Sequence, residues 1–241
     1  MTPGRRTTAL LLAALGLVAL SAPPATADGY VEMLIEKVPF YQTMIGQRAP
    51  MYEPLARQMV LEYDLSDGVA LEIGGNAGAF SIALAAQTEM TVYNLDLDPW
   101  AIRLCGVLVD TAGLTGRVIP VEGDAADMPL REGLADFVFS RAVIPFVPDQ
   151  VQFMREVYRV LKPGGVAYVG HGGFGMFIDP EIRQRLVEDR LRRWDEGRIP
   201  AGWDGPAEGM VDLAREAGIE HHRLITEPDV GWWLEIRKPA Q

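Results

Sequence analysis

The stretch Val69-Ala70-Leu71-Glu72-Ile73-Gly74-Gly75-Asn76-Ala77-Gly78 decides the fold of this chain. Residues 69–73 are a short apolar run, which is typical of a buried strand. In residues 74–78, glycines let the backbone turn sharply and let a ligand approach the main chain. Residues 79–86 are an apolar stretch that predicts a helix. An open α/β sheet begins a nucleotide-type pocket with such a strand, turn and helix.

The same unit recurs twice further along the chain. Residues 90–95 predict a second strand, which leads to Asp96 about twenty residues after the glycine turn, where a carboxylate can accept hydrogen bonds from both hydroxyls of a ribose. Residues 117–122 predict a third strand, followed by Gly123-Asp124-Ala125. This repetition predicts an α/β fold with a doubly wound, Rossmann-like sheet.

The remaining pattern completes that sheet. Further strands are predicted at residues 135–140 and 166–170, and helices near residues 79–87, 99–112, 148–161, 179–193 and 206–217. Residues 219–225 and 230–237 flank Glu227-Pro228-Asp229, which predicts an antiparallel hairpin. The sheet is therefore expected to be mostly parallel, with this C-terminal hairpin at its end.

Over residues 67–173 the ordered motifs resemble the class I S-adenosylmethionine-dependent methyltransferases. The resemblance rests on Leu71-Glu72-Ile73-Gly74 with Gly78, Asp96, Gly123-Asp124-Ala125 with Met128-Pro129-Leu130, Ala135-Asp136-Phe137-Val138, and Arg159-Val160-Leu161-Lys162-Pro163-Gly164-Gly165. Nicotinamide and flavin proteins share the glycine turn, but the Leu-Lys-Pro-Gly-Gly turn is not expected in a dehydrogenase. The resemblance implies S-adenosyl-L-methionine as cofactor and methyl transfer as activity.

The resemblance also implies which residues hold the cofactor. They are Glu72, Gly74, Gly75, Asn76 and Gly78 for the methionine part, Asp96 for the ribose, Leu97, Asp124 and Ala125 for the adenine, and Ser140 at the end of the fourth strand. The residues alone leave alternatives, because Glu72 could orient the turn and Asp124 could be a turn or cap residue.

Asn76 is a departure from the family pattern. The family turn usually reads Gly-x-Gly-x-Gly, and Asn76 takes the place of the middle glycine. Asparagine tolerates positive φ better than other residues that have a side chain, so the turn can still form. Its side chain adds bulk where the amino-acid end of the cofactor is expected.

The loop after the fourth strand, residues 140–146, normally faces the transferred methyl group in this family. It lacks the Asn/Asp-Pro-Pro-aromatic motif of enzymes that methylate the amino groups of bases and amides. Arg141 could hold a substrate carboxylate or phosphate, or pair with Asp136 or Glu72. His171 is the candidate general base, or else a loop residue whose ring has other partners. Arg141 and His171 are thus the two candidate catalytic residues.

The composition of the chain limits the class of acceptor molecule that we expect. The 241 residues carry a net charge of −11, and an acidic surface repels phosphate backbones. We therefore expect a small-molecule substrate and no nucleic acid.

Cys105 is the only cysteine, and His221 and His222 would point to opposite faces of a late strand, so no metal site is predicted. Methyl transfer from a sulfonium is an in-line displacement that needs positioning more than a dedicated base.

The first 27 residues differ from the rest. Arg5-Arg6, an apolar run at residues 9–20 and Ala25-Thr26-Ala27 match the three parts of a signal peptide. The apolar run is too short to span a membrane. We therefore expect cleavage after Ala27 and an exported protein, periplasmic or secreted. The alternatives are an uncleaved leader, as the only membrane attachment, and a misassigned start near Met33 with a cytoplasmic protein.

The domain prediction follows from these segments. Residues 1–27 are the signal peptide, 28–66 an N-terminal helical cap, and 67–241 the methyltransferase domain. Residues 173–205 are predicted to be a lid insertion, in which Trp194 and Trp203 could contact an acceptor.

Because the cofactor is made in the cytoplasm, two other functions stay open: an exported adenosyl-ligand-binding protein without turnover, and a nicotinamide-dependent oxidoreductase. The oligomeric state is not indicated.

Overall fold

The structure is a computed structural model that describes residues 37, 40–171, 175–196, 207–226 and 232–240. The predicted leader, part of the cap, about a third of the predicted lid and the hairpin turn at residues 227–229 lie outside these described residues. Within them, no helix combines the length and the apolar character needed to cross a membrane.

Seven strands form one sheet. They are β1 (Val69–Ile73), β2 (Thr91–Asp96), β3 (Val118–Glu122), β4 (Ala135–Arg141), β5 (Leu161–His171), β6 (His222–Ile225) and β7 (Trp232–Arg237). Their order across the sheet is β3-β2-β1-β4-β5-β7-β6. Strands β1 to β5 pair in parallel, whereas β7 pairs antiparallel with both β5 and β6. The prediction of a Rossmann-like sheet with a C-terminal antiparallel hairpin is confirmed.

Helices cover both faces of the sheet. In the described part of the chain they are α1 (Ala49–Tyr63), α2 (Ala79–Gln87), α3 (Pro99–Thr111), α4 (Gln150–Val160), α5 (Pro180–Asp195) and α6 (Gly209–Glu216). A π-helical turn precedes α1, and a 3-10 turn follows β4. Helix α3 begins where expected because Asp98 caps it, accepting a 3.0 Å hydrogen bond from Trp100 N, and Pro99 fixes the first turn.

The sheet separates two apolar cores. On one face, beneath α1 and α2, the ring of Phe80 stacks on Phe139 with centroids 3.8 Å apart, and that of Tyr168 stacks on Trp233 at 4.5 Å. Leu186 of α5 joins this core. On the other face, α4 and α6 pack against β1, β4 and β5. Both faces of the parallel strands are therefore buried, as parallel sheets require.

Strand β5 begins earlier than the sequence predicts. The Leu-Lys-Pro-Gly-Gly segment was expected as a turn, yet it is the bulged start of the strand. Leu161 pairs with Ala135, the register then shifts before Phe137, and Gly164 N donates a 2.8 Å hydrogen bond to Lys238 O. Gly164 has a φ of +83°, a conformation that glycine adopts without strain.

The parallel strands end at one edge of the sheet. Because β1 lies between β2 and β4, the direction of strand succession reverses there. In open α/β sheets, ligands bind outside the carboxyl ends of the strands at such a switch point. The fold therefore directs attention to the turns that follow β1, β2 and β4.

Candidate functional site

The glycine turn after β1 is tied to the end of β2. The backbone N–H groups of Gly74 and Gly75 both donate to Leu95 O, at 2.8 and 3.2 Å. Gly74 and Gly78 have φ values of +67° and +79°, in the left-handed region where glycine is favoured. Helix α2 follows directly from Gly78. The turn therefore holds its backbone close against the neighbouring strand.

Asn76 keeps the left-handed conformation that the turn needs. Its φ is 52°, and its side-chain Oδ1 accepts a 2.9 Å hydrogen bond from Ala77 N. Its backbone N donates to Asp96 Oδ2 at 2.8 Å. The asparagine that replaces the family's middle glycine is thus accommodated by a hydrogen bond within its own turn.

Asn94 is a functional candidate that the sequence analysis missed. This residue of β2 is completely buried, and its Nδ2 donates to Asn76 O at 3.0 Å while its Oδ1 lies 3.2 Å from Ser81 Oγ. A Cβ atom at Gly75 would lie only 1.9 Å from Asn94 Oδ1. Asn94 therefore fills the space beneath the turn and requires glycine at position 75. The available signal was a polar residue inside an apolar strand, since buried polar groups need partners.

Asp96 is oriented by two backbone donors. Asn76 N donates to Oδ2 at 2.8 Å, and Asp98 N donates to Oδ1 at 2.9 Å. Burial raises the pKa of Asp96, and these hydrogen bonds oppose the rise. Because a carboxylate oxygen has two lone pairs, each oxygen can accept one more hydrogen bond from a ligand. The adjacent Leu97 is 69% exposed, so an apolar side chain is available at the same strand end.

Glu72 is the buried acid of the site. It is 6% exposed, and its Oε2 accepts hydrogen bonds from Ser81 N at 2.9 Å and Ser81 Oγ at 2.5 Å. Among the described residues, none donates to Oε1. Burial raises the pKa of Glu72 to about 8, despite the two hydrogen bonds from Ser81. A cationic ligand group at Oε1 would stabilise the ionised form.

The end of β3 is more open. Asp124 is exposed, and its Oδ1 accepts a 2.8 Å hydrogen bond from Ala126 N, which is the turn interaction that the sequence left open. Ala125 is half-buried. The next segment is held by Glu156, whose Oε2 accepts from Met128 N at 2.8 Å. This hydrogen bond therefore links the segment after β3 to helix α4.

Ser140 is buried beneath the site. It is 1% exposed, and its Oγ donates a hydrogen bond of 3.3 Å to Ile73 O. Its hydroxyl hydrogen is thus already used to link β4 with β1. A contact between Ser140 and the cofactor stays a prediction.

The pairing of Arg141 with Asp136, one of the predicted alternatives, is wrong. Asp136 lies near the start of β4, where its Oδ2 accepts from Val69 N at 2.7 Å and Lys162 Nζ at 2.6 Å. Arg141 is the last residue of the same strand, at the opposite edge of the sheet. An extended strand advances about 3.3 Å per residue, which keeps the two side chains apart.

His171 is the last residue of β5, and its backbone pairs with Trp232. Its side chain lies outside the described residues, so its role as base stays a prediction. Trp194 and Trp203 cannot be placed against the site for the same reason. His222 Nδ1 lies 2.9 Å from Ile219 O, and no group of three metal-ligating side chains occurs in the described ranges.

The segment before α1 contacts Asp98, two residues after Asp96. Lys37 Nζ lies 2.5 Å from Asp98 Oδ2, and the Tyr41 hydroxyl donates to the same oxygen at 3.2 Å. Tyr41 is 1% exposed, and its burial, with the charge of Asp98, raises the pKa of its hydroxyl. The chain that leads into α1 thus lies beside the carboxyl end of β2.

Comparison with known proteins identifies the family to which this fold and site correspond. Residues 71–169 match the methyltransferase domain family. A solved structure from Methanococcus maripaludis, provisionally named an S-adenosyl-L-methionine-dependent methyltransferase, is 29% identical with a TM-score of 0.73, over 83% of this chain and 90% of that chain.

Two curated relatives are similar over shorter shares of their length. The ajmaline N-methyltransferase of Rauvolfia serpentina is 27% identical over 62% of this chain and 51% of that protein. The arsenite methyltransferase of Aquipseudomonas alcaligenes is 30% identical over 66% and 41%. The chain therefore spans about half or less of the length of these two relatives. From its sheet topology and matched domain, the chain belongs to the class I S-adenosylmethionine-dependent methyltransferases, and S-adenosyl-L-methionine is its cofactor.

Proposed function

We propose that the protein transfers a methyl group from S-adenosyl-L-methionine to a small-molecule acceptor. The observation that carries this proposal is the carboxyl edge of β1 and β2. There the tight glycine turn brings a buried acid, Glu72, and an oriented carboxylate, Asp96, to the same switch point.

The residues at this edge fit the cofactor part by part. Glu72 Oε1 is a buried acceptor that suits the ammonium group of the methionine end. The two oxygens of Asp96 each keep an accepting position, which suits the two ribose hydroxyls. Leu97 offers an exposed apolar side chain for the adenine ring. We assign Asp124 and Ala125 to the adenine edge, since they end the adjacent strand.

The chain itself contributes positioning and exclusion of water. When bound, the cofactor supplies a methyl group on a positively charged sulfur, which an acceptor lone pair can displace in line. Holding two reactants at contact distance supplies much of the rate enhancement for such a displacement. The turn would fix the donor, and the loop after Arg141 would face the acceptor. His171 stays the candidate that would take a proton from a hydroxyl acceptor.

The small-molecule acceptor is supported by charge and by the relatives. A net charge of −11 disfavours nucleic acid. The names of two relatives specify ajmaline and arsenite, both small molecules. No comparison supports a binding protein without turnover or a nicotinamide oxidoreductase.

Two measurements test this function. Isothermal titration should show that S-adenosylhomocysteine binds and that NAD does not. Incubation with cofactor labelled in its methyl group and a metabolite extract should then place label in the small-molecule fraction. Binding of NAD alone would overturn the proposal. Binding of S-adenosylhomocysteine without any transfer would favour the binding protein without turnover.

A further inference from the structure

Among the described residues, one buried tyrosine beside the site has a hydroxyl without a hydrogen-bond partner. Tyr52 lies in the first turns of α1 and is 8% exposed, within the aromatic core that contains Phe80 and Phe139. None of the described residues forms a hydrogen bond with its hydroxyl. Burying a polar group without a partner is unfavourable, so such groups are normally completed by water or by a ligand.

The alternation of side chains along β4 places the positive charge of Arg141 on the side of the sheet that contains Tyr52. Phe137 and Phe139 of β4 point into the core that contains Tyr52. Because side chains alternate along a strand, Arg141 projects from the same face, one step nearer the carboxyl edge. Among the charges that act on the Tyr52 hydroxyl and its pKa, Arg141 is the largest.

A second positive charge comes from the cap. Arg48 immediately precedes α1, one turn before Tyr52, and residues four apart on a helix are neighbours. Its charge also acts on the Tyr52 hydroxyl. Glu72 is the acid that acts on this hydroxyl, and its effect is smaller than that of either arginine. Two of the three charges that act on the Tyr52 hydroxyl are therefore positive.

The chemistry of this cluster selects an anion. Guanidinium groups only donate hydrogen bonds, and a tyrosine hydroxyl can donate one as well. Carboxylates and phosphates match arginine donors in charge and geometry. The methionine end of the cofactor carries one carboxylate, whereas the cluster has two guanidinium groups. One of them, Arg141, begins the loop that is expected to face the acceptor.

We propose that Tyr52, Arg141 and Arg48 form a binding site for a carboxylate or phosphate group of the acceptor. The acceptor is then a small organic anion that this cluster holds beside the transferred methyl. This inference rests on the proposed function, because it names the substrate class of the same site.

The test uses protein saturated with S-adenosylhomocysteine, so that the carboxylate of the cofactor is already bound. Benzoate and phenyl phosphate are titrated into this complex and compared with neutral benzamide by ligand-observed NMR. We expect both anions to bind and benzamide not to bind. Tyr52→Phe and Arg141→Gln should each weaken anion binding at least about tenfold and leave the Kd for S-adenosylhomocysteine unchanged.

Arg131→Gln is the matched control. Arg131 is exposed in the loop before β4, at the opposite edge of the sheet, and its Nη1 donates to the backbone carbonyls of Glu132 and Gly133. This variant removes the same charge and should leave both affinities unchanged. Thermal unfolding of each variant separates a lost site from a lost fold.

Three results would overturn the acceptor site. The first is equal binding of benzoate and benzamide, and the second is an equal effect of the Arg131 and Arg141 substitutions on anion binding. The third is that the Tyr52 and Arg141 variants lose affinity for S-adenosylhomocysteine while the wild type binds no anion. That result would assign the cluster to the cofactor carboxylate. A wild-type protein that does not bind S-adenosylhomocysteine contradicts the proposed function instead. The same benzoate titration without cofactor then decides the anion site alone.

Discussion

The residue with the most unusual ionisation at the site is Glu72. Burial raises its pKa from the ordinary 4.5 to about 8. The folded protein therefore retains a proton that the unfolded chain releases between these two pH values. The free energy of unfolding is highest, as far as this group is concerned, below pH 4.5 and decreases as the pH rises to about 8.

Glu72 should couple cofactor binding to proton release. An ammonium group beside Oε1 favours the ionised carboxylate, so binding of S-adenosylhomocysteine at pH 7 should release a proton. Titration calorimetry in buffers with different ionisation enthalpies measures this release. Glu72→Gln should abolish it, whereas Glu132→Gln, which changes an exposed side chain before β4, should not. Equal proton release from Glu72→Gln and wild type would contradict the assignment.

Gly75 and Asn94 should behave as a coupled pair. In Gly75→Ala, the new Cβ would meet Asn94 Oδ1 at 1.9 Å, so the turn must shift and affinity for S-adenosylhomocysteine should fall. Asn94→Ala removes the hydrogen bond to Asn76 O and should also weaken binding. The second change removes the closest contact of the new Cβ, and Glu72 Cδ remains 2.8 Å from it. The double variant should therefore bind better than the two losses predict, with a coupling of about 0.5–3 kcal/mol. Strictly additive losses would argue against a matched pair.

At the level of secondary structure, apolar runs in the sequence predicted most of the strands and helices. Strand β1 and helix α2 have the predicted bounds, β3 and β4 differ from their predictions by one residue at one end, and β2 differs by one residue at each end. These strands are short, strongly apolar and bounded by turn residues, so their sequences alone indicate them. The start of β5 was missed, since Gly164 pairs with Lys238, a residue distant in the sequence.

The partners of buried polar groups could not be predicted in the same way. The sequence predicted that Glu72 and Asp96 lie at strand ends beside the glycine turn, because a strand end beside such a turn is a local pattern. It did not reveal Asn94 beneath the turn or Tyr52 beside Arg141. These contacts depend on how the strands and α1 pack together, and residue spacing along the chain does not encode them.

Two glycines test the packing of their elements. Gly170 of β5 faces Trp233, and an added Cβ would lie 2.2 Å from the indole Cε3 and 2.7 Å from the Trp232 carbonyl oxygen. Gly170→Ala should therefore destabilise the protein by about 1–3 kcal/mol. Gly106 lies in α3 with open space around it, so Gly106→Ala should stabilise by about 0.5–1 kcal/mol. Chemical denaturation measures both, and a stable Gly170→Ala protein would contradict the packing of β5 against β7.

At the scale of the whole molecule, the cap and the sheet meet at the site. Helix α1 covers the aromatic core, and the chain before it is fastened to Asp98 through Lys37 and Tyr41. The glycine turn, Asp96 and the proposed anion cluster therefore all lie where the cap contacts the carboxyl edge. Removal of the cap should disturb binding as well as stability.

The location of the protein is a further whole-chain prediction. We propose that residues 1–27 direct export and that the mature protein begins at Asp28, because the leader has a basic start, an apolar run and a small-residue cleavage motif. Fractionation of the source cells and N-terminal sequencing measure this. An isolated cytoplasmic protein that begins at Met1 or Met33 would contradict export.

The central claim is that S-adenosyl-L-methionine binds at the carboxyl edge of β1 and β2. Isothermal titration of S-adenosylhomocysteine into the wild type, Asp96→Ala and Glu132→Ala tests it most directly. We expect binding to the wild type and to Glu132→Ala with equal affinity. Loss of hydrogen bonds to a charged group should weaken binding to Asp96→Ala by about 1.5–3 kcal/mol, roughly ten- to 150-fold in Kd. No binding to the wild type, or unchanged affinity in a folded Asp96→Ala protein, would contradict the claim.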